Sequence, residues 1–176
     1  KYVISELLKR SHTVTCYEIK TKKNVKMAKQ LDQGIGIVWG DLNTDENLDM
    51  AIKGQDVIIH LAFIIPPISE KNPELAYRIN VGGTQRIIDA MKSFAPSARL
   101  ILACTIAVYG DSQHVPPPRR AGDPLNPVDN YGRQKVECEN IVMNSGLQWS
   151  ILRLAAAPSI DWQRVDPIMF EVPLTD

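Results

Sequence analysis

The chain has 176 residues, with Lys+Arg 20 balancing Asp+Glu 20 and 44% of residues hydrophobic. That length suits a single domain, and the charge balance gives no footing for a nucleic acid or an anionic membrane as partner. No run approaches the ~18 apolar residues of a membrane span, and three cysteines, Cys16, Cys104 and Cys138, point to a reducing, cytoplasmic setting rather than a disulfide framework.

Taken in chain order, Tyr2, Val3, Leu7 and Leu8 recur at helical spacing and end at Lys9-Arg10, a basic pair that suits a helix C-terminus. Thr13 to Tyr17 is a β-branched and aromatic run, read as a strand. Lys22 to Leu31 is helical, and Gly34 and Gly36 punctuate before the strand Ile37-Val38-Trp39. Thr44 is placed to cap a helix that runs through Ile52 and stops at Gly54. Val57 to Leu61 is an apolar run of the kind buried on both faces. Asn72-Pro73 opens a long helix through about Met91, with Pro in its first turn. Arg99 to Ala103 is another buried strand, and residues 111–130, with Pro116-Pro117-Pro118, form a long loop. Tyr131 to Asn144 is helical, Gly146 ends it, and Trp149 to Leu154 is the last strand. Regular alternation of helix and strand predicts an α/β fold, a doubly wound parallel sheet with helices on both faces. After Pro158 the pattern dissolves, so residues 1–158 form the expected domain and 159–176 the start of a further region.

Tyr131-Gly132-Arg133-Gln134-Lys135 carries the clearest chemistry. Residues four apart share a helix face, so phenol and ammonium can converge. A free tyrosine, with a pKa near 10, is a poor base, and a nearby lysine stabilises its phenolate. Thr105 follows a strand in Ala103 to Gly110, and the C-terminal ends of parallel strands are where such sheets bind ligands. Its hydroxyl could bond a substrate oxygen; otherwise it is a β-branched strand end.

These residues resemble the extended short-chain dehydrogenase/reductase family, the NAD-dependent epimerase/dehydratase group, along nearly the whole chain. Asp56 to Ala62 looks like its fourth strand, Asn80-Val81-Gly82-Gly83-Thr84 its Asn-x-x-Gly-Thr segment, and Thr105 to Gly110 its Ser-Ser-x-x-Val-Tyr-Gly strand end. Pro127 to Glu139 fits its Pro-x-x-x-Tyr-Gly-x-x-Lys-x-x-x-Glu helix, and Leu152-Arg153 its Leu-Arg-Pro strand. The resemblance implies a Rossmann-like fold in which Tyr131 is the general acid/base, Lys135 holds the nicotinamide ribose and lowers the tyrosine pKa, and Thr105 stands in for the usual Ser. Cys104 is read as a small buried hydrophobe beside them, and His60 as a packed core histidine.

For the cofactor, Glu18 at a strand end would accept hydrogen bonds from the adenosine ribose and favour NAD. Lys20, Lys22 and Lys23 follow closely and leave NADP open. Asp41 and Leu42 resemble an adenine-contacting pair, with a plain Asp turn as the other reading. Leu61, Ala62 and Phe63 follow their strand into the cofactor crevice, and small Ala62 admits the pyrophosphate. Asn80 lies near the cofactor in the family, or serves a backbone bond. No metal site is expected.

Two features depart from the family pattern. The Gly-x-x-Gly-x-x-Gly fingerprint and the strand before it are absent, so the expectation is a fragment lacking the first strand, a poor dinucleotide binder and inactive in isolation. Leu154 to Pro158 also replaces the usual Pro-Val-Tyr-Gly-Pro. The parent is expected to be an NAD(P)-dependent oxidoreductase, epimerase or dehydratase acting on a small-molecule carbinol, with a nucleotide sugar favoured over another sugar or a sterol-like alcohol. The rival is an inactive NAD(P)-binding sensor, against which the Tyr/Lys pair argues. Homodimerisation through the helices bearing Asn80 and Tyr131 is implied by resemblance alone.

Overall fold

The computed structural model describes residues 2–31, 34–111 and 114–155. The residues from 159 onward, expected to begin a further region, lie outside that set. In chain order the elements are α1 (Tyr2–Lys9), β1 (Thr15–Glu18), α2 (Lys22–Ala28), β2 (Gly36–Trp39), α3 (Leu48–Ile52), β3 (Val57–His60), α4 (Ile68–Lys71) and α5 (Pro73–Phe94). They are followed by β4 (Arg99–Thr105), a single 3-10 turn at Ile106–Tyr109, α6 (Asn130–Met143) and β5 (Gln148–Leu154).

Among the described residues all strand pairing is parallel. β1 pairs with β2, and β3, β4 and β5 form a second sheet in that order. This is a Rossmann-like α/β arrangement whose sheet is divided in two, as expected for a sheet without its first strand. One apolar cluster joins the halves. Leu42 and Leu48 beside the smaller sheet pack with Ile52, Val81, Ile88, Met91, Leu100, Leu102, Cys138 and Val142, and Tyr17 of β1 lies against them. Gly83 makes the junction close, because a Cβ there would come 2.7 Å from Leu42 Cδ2.

β4, with a strand on each side, alternates burial and hides Leu100, Leu102 and Cys104. β3 departs from the fully buried reading. It forms the edge of its sheet, and burial rises along it from exposed Val57 to His60. α5 is capped by the Asn72 side chain, which accepts from Leu75 N at 3.2 Å. It runs to Phe94, past the expected end near Met91, and gives way just before Pro96. α3 starts at Leu48 rather than at Thr44, since residues 44–47 are spent on turns and Asn47 takes φ 56°. Asn is among the few residues that adopt that left-handed conformation readily. Among the described residues no helix is long and apolar enough to cross a membrane.

Candidate active site

α6 begins against the end of β4, and its first turn carries Tyr131. The Asp129 side chain caps the helix, accepting from Gly132 N at 2.6 Å. Gly132 is needed for the approach, because a Cβ there would lie 2.9 Å from Pro127 Cβ and 3.1 Å from the Ala107 carbonyl. One turn on, Lys135 has no exposed surface. Its ammonium donates to the Ala103 carbonyl of β4 and sits 3.0 Å above the centre of the Phe63 ring. Thr105 ends that same strand. Its Oγ1 accepts from Ala107 N at 3.2 Å and so caps the 3-10 turn, which leaves the hydroxyl proton for another acceptor.

The three expected catalytic side chains therefore gather at the C-terminal end of β4, but the charge logic differs from the expectation. Lys135 Nζ stands 6.0 Å from the Tyr131 ring centre and is directed at backbone rather than at the phenol. Burial pushes the Tyr131 phenol above its usual value, with the Cys104 and Cys138 thiols and the Asp129 carboxylate adding to it. Burial also pulls the Lys135 ammonium down to about 8. In this arrangement Tyr131 is a protonated phenol, and any lowering by Lys135 requires the ammonium to leave Ala103.

Beneath this cluster Glu139 is fully buried and takes Arg153 of β5 in a bidentate pair, at 2.8 and 2.7 Å. Arg153 also donates to the Tyr109 hydroxyl and the Ala121 carbonyl, each at 2.8 Å, and Tyr109 donates to the Arg120 carbonyl at 3.0 Å. The loop before α6 is thus tied to β5 through one guanidinium. Burial, followed by the nearby Glu139, pushes the Cys104 thiol up to about 12, so it is inert at neutral pH, as a small buried hydrophobe should be. An open cavity of about 630 Å³ lies under the same loop against Tyr109, Arg119 and Arg120. Thr105, Tyr131 and Lys135 do not line it, so it is a loop cavity beside the candidate site rather than the site itself.

The expected cofactor residues fall into three groups. Glu18 ends β1 and Asp41 follows β2 in the smaller sheet. Glu18 Oε1 accepts from Ile19 N and Asn24 Nδ2, while Asp41 Oδ1 accepts from Asn43 N at 2.8 Å in an ordinary Asp turn. Leu61 and Ala62 are exposed beyond β3, while Phe63 lies under Lys135. Leu42 and Asn80 turn inward. Leu42 is core, and Asn80 brackets the backbone of Ile64, accepting from its N at 2.7 Å and donating to its O at 2.9 Å. Asn80 also donates to Gln134 Oε1 at 2.8 Å, so it fastens the loop after β3 to α6.

His60 is the packed core histidine expected. Thr84 spends its proton on the Asn80 carbonyl at 2.6 Å, which makes His60 Nε2 the donor across its 3.0 Å contact with Thr84. The residues that could hold a dinucleotide are the Glu18 carboxylate at the end of β1, exposed Ala62 after β3, and, at the end of β4, the Thr105 hydroxyl and the Lys135 ammonium, which is buried here against Ala103 and Phe63. Glu70, Gln134 and Glu139 were not singled out from sequence for what they do here. Their partners on other elements lie 14 to 61 residues away, and no local spacing announces them.

The family model for the NAD dependent epimerase/dehydratase family matches residues 1–157. D-erythronate dehydrogenase of Haemophilus influenzae is 28% identical over 129 residues, covering 73% of this chain and 34% of its own length. The 3-beta-hydroxysteroid dehydrogenase of Mycolicibacterium neoaurum is 25% identical over 178 residues, covering 96% and 46%. Among solved structures, UDP-glucose 4-epimerase from Brucella ovis in complex with NAD superposes with a TM-score of 0.75 at 24% identity, over 92% of this chain and 50% of that one. The chain thus spans between a third and a half of the length of these relatives.

Proposed function

The chain belongs to the NAD dependent epimerase/dehydratase family, and we propose on that footing that it supplies the acid/base site of an enzyme acting on a substrate carbinol. The observation that carries this reading is the gathering of Tyr131 and Lys135 on one face of α6, against the strand that ends in Thr105. Tyr131 takes the proton of the substrate hydroxyl, or returns it in the reverse direction. Thr105 orients that oxygen with the hydroxyl proton left over from capping. Once its ammonium leaves the Ala103 carbonyl, Lys135 supplies the positive charge that favours the phenolate and holds the ribose beside it. NAD, when bound, supplies the hydride acceptor. Glu18 accepts from the adenosine ribose and opposes a 2′-phosphate, which favours NAD over NADP even with Lys20, Lys22 and Lys23 nearby.

The substrate is a small hydroxyl compound, a nucleotide sugar among them, and self-association runs along the outer faces of α5 and α6, where Tyr77 is exposed. The test uses the full-length protein with NAD and three substrates in turn: D-erythronate, a 3β-hydroxysteroid and UDP-glucose. Nicotinamide absorbance follows the first two, and chromatography of the sugar nucleotide follows the third. Conversion of one of them, with NAD preferred over NADP by about tenfold or more, is expected. Bound NAD without conversion of any contradicts the reading.

A further inference from the structure

We propose that Glu70 is a positioning residue for Tyr131: its carboxylate, carried on the segment that follows the crevice loop, fixes the first turn of α6 and with it the place of the phenol. This inference rests on the acid/base reading of Tyr131 given above.

In sequence Glu70 is an unremarked charge in Ile68-Ser69-Glu70-Lys71. In the fold its Oε2 accepts from Asn130 N at 3.2 Å and from Asn130 Nδ2 at 2.9 Å. Its Oε1 accepts from Tyr131 N at 3.1 Å and from the buried Ser69 hydroxyl at 3.2 Å. The first N–H groups of a helix have no partner within it. Asp129 satisfies Gly132, and Glu70 satisfies the two residues before it, so the whole first turn is held by two carboxylates. A negative charge is favourable at that end of a helix, and bonds to an ionised acceptor are about twice as strong as neutral ones. Burial pushes the Glu70 carboxyl up, but the bonds from Asn130, Tyr131 and Ser69 outweigh it and hold the group below its ordinary value, so it is charged at neutral pH.

The placement matters because Tyr131 is the second residue of α6. Lys135, one turn deeper, is clamped by Ala103 and Phe63 and is not subject to end fraying. Without Glu70 the first turn loosens while the lysine stays, so the phenol moves relative to its partner. A displacement of about 1 Å at a reacting group can cost roughly a hundredfold in rate. The carboxylate is also carried on a braced platform, because Asn80 and Gln134 fasten Ile64 of the preceding loop to α6.

The experiment uses the full-length protein, with Glu70→Ala and Glu70→Gln made alone and in a Tyr131→Phe background. It measures kcat on whichever of the three substrates is converted, NAD affinity, and the thermal midpoint. For Glu70→Ala, kcat falls between about tenfold and a hundredfold while NAD affinity stays within about threefold. Glu70→Gln recovers part of kcat, since its amide oxygen still accepts from one N–H. In the Tyr131→Phe background Glu70→Ala costs nothing further, within about twofold. If kcat holds within about twofold while the midpoint drops, Glu70 is a helix cap only and the proposal fails. Equal proportional losses in both backgrounds also defeat it, by showing that Glu70 does not act through Tyr131. Full turnover by Tyr131→Phe, or no turnover by the wild type, would instead overturn the acid/base reading beneath it. Should Glu70→Ala fail to fold, Glu70→Gln carries the same comparison, and wild-type kcat there counts against the proposal.

Discussion

Lys135 has no exposed surface, and its ammonium is satisfied by one backbone carbonyl and one aromatic face. A buried cation costs folding energy, and the fall of its pKa to about 8 under burial expresses that cost. Lys135→Met fills similar space without the charge. It should leave the protein at least as stable by chemical denaturation while turnover is lost, the mark of a residue kept for function. His60 gives a pH dependence. Burial, then the charge of Lys135, depresses its folded-state pKa to about 3, so the unfolded chain takes up the proton first as pH falls. The stability is therefore present above about pH 6.5 and is lost progressively toward pH 3, with roughly 2 kcal/mol gone between pH 7 and pH 5. Denaturation midpoints across that range should show the loss, and His60→Leu should flatten it. At this scale the sequence is legible where the signal is local. Tyr131 and Lys135 stand four apart on one helix, and Thr105 ends a strand. Glu70, Gln134 and the Glu139–Arg153 pairing depend on contacts between distant segments, which periodicity does not encode.

The loop before α6 is tied to β5 by Arg153 and to the 3-10 turn by Tyr109. Removing Arg153 takes the cation from the buried Glu139 carboxyl and leaves it only the Cys104 thiol, and losing one partner of such a pair costs about 3–5 kcal/mol. Arg153→Ala should lower stability by that order and release the Ala121 carbonyl and the Tyr109 hydroxyl, so that trypsin cuts faster at Arg119 and Arg120. Gly110, which ends the 3-10 turn, has φ 68° and ψ −149°, and a Cβ there would collide with the Asn126 carbonyl. Gly110→Ala should cost at least about 3 kcal/mol, read by urea denaturation. The strands and the longer helices were legible from alternation and caps. Four-residue α4 and the 3-10 turn were not, because a single turn has no period to detect. Thr44 matches a helix cap by type, but turns at 44–47 use up those residues first, so α3 starts at Leu48.

Across the molecule, a shared apolar cluster joins the two halves of the sheet, with Glu18 at the end of β1 and Thr105 at the end of β4. Glu18 lies on one half and Tyr131 on the other, so binding preference and chemistry can be perturbed apart. In the full-length protein Glu18→Gln should narrow the preference for NAD over NADP by about tenfold, measured by titration with each, while leaving Tyr131 chemistry intact. The fold class was legible because alternating helices and buried strands admit few architectures. The most direct test of the central claim is Tyr131→Phe in the full-length protein, with NAD binding and conversion of the active substrate measured on the same sample. Turnover should fall by at least about a hundredfold, with NAD affinity unchanged within about threefold. Wild-type turnover by Tyr131→Phe would remove the phenol from the mechanism and contradict the account.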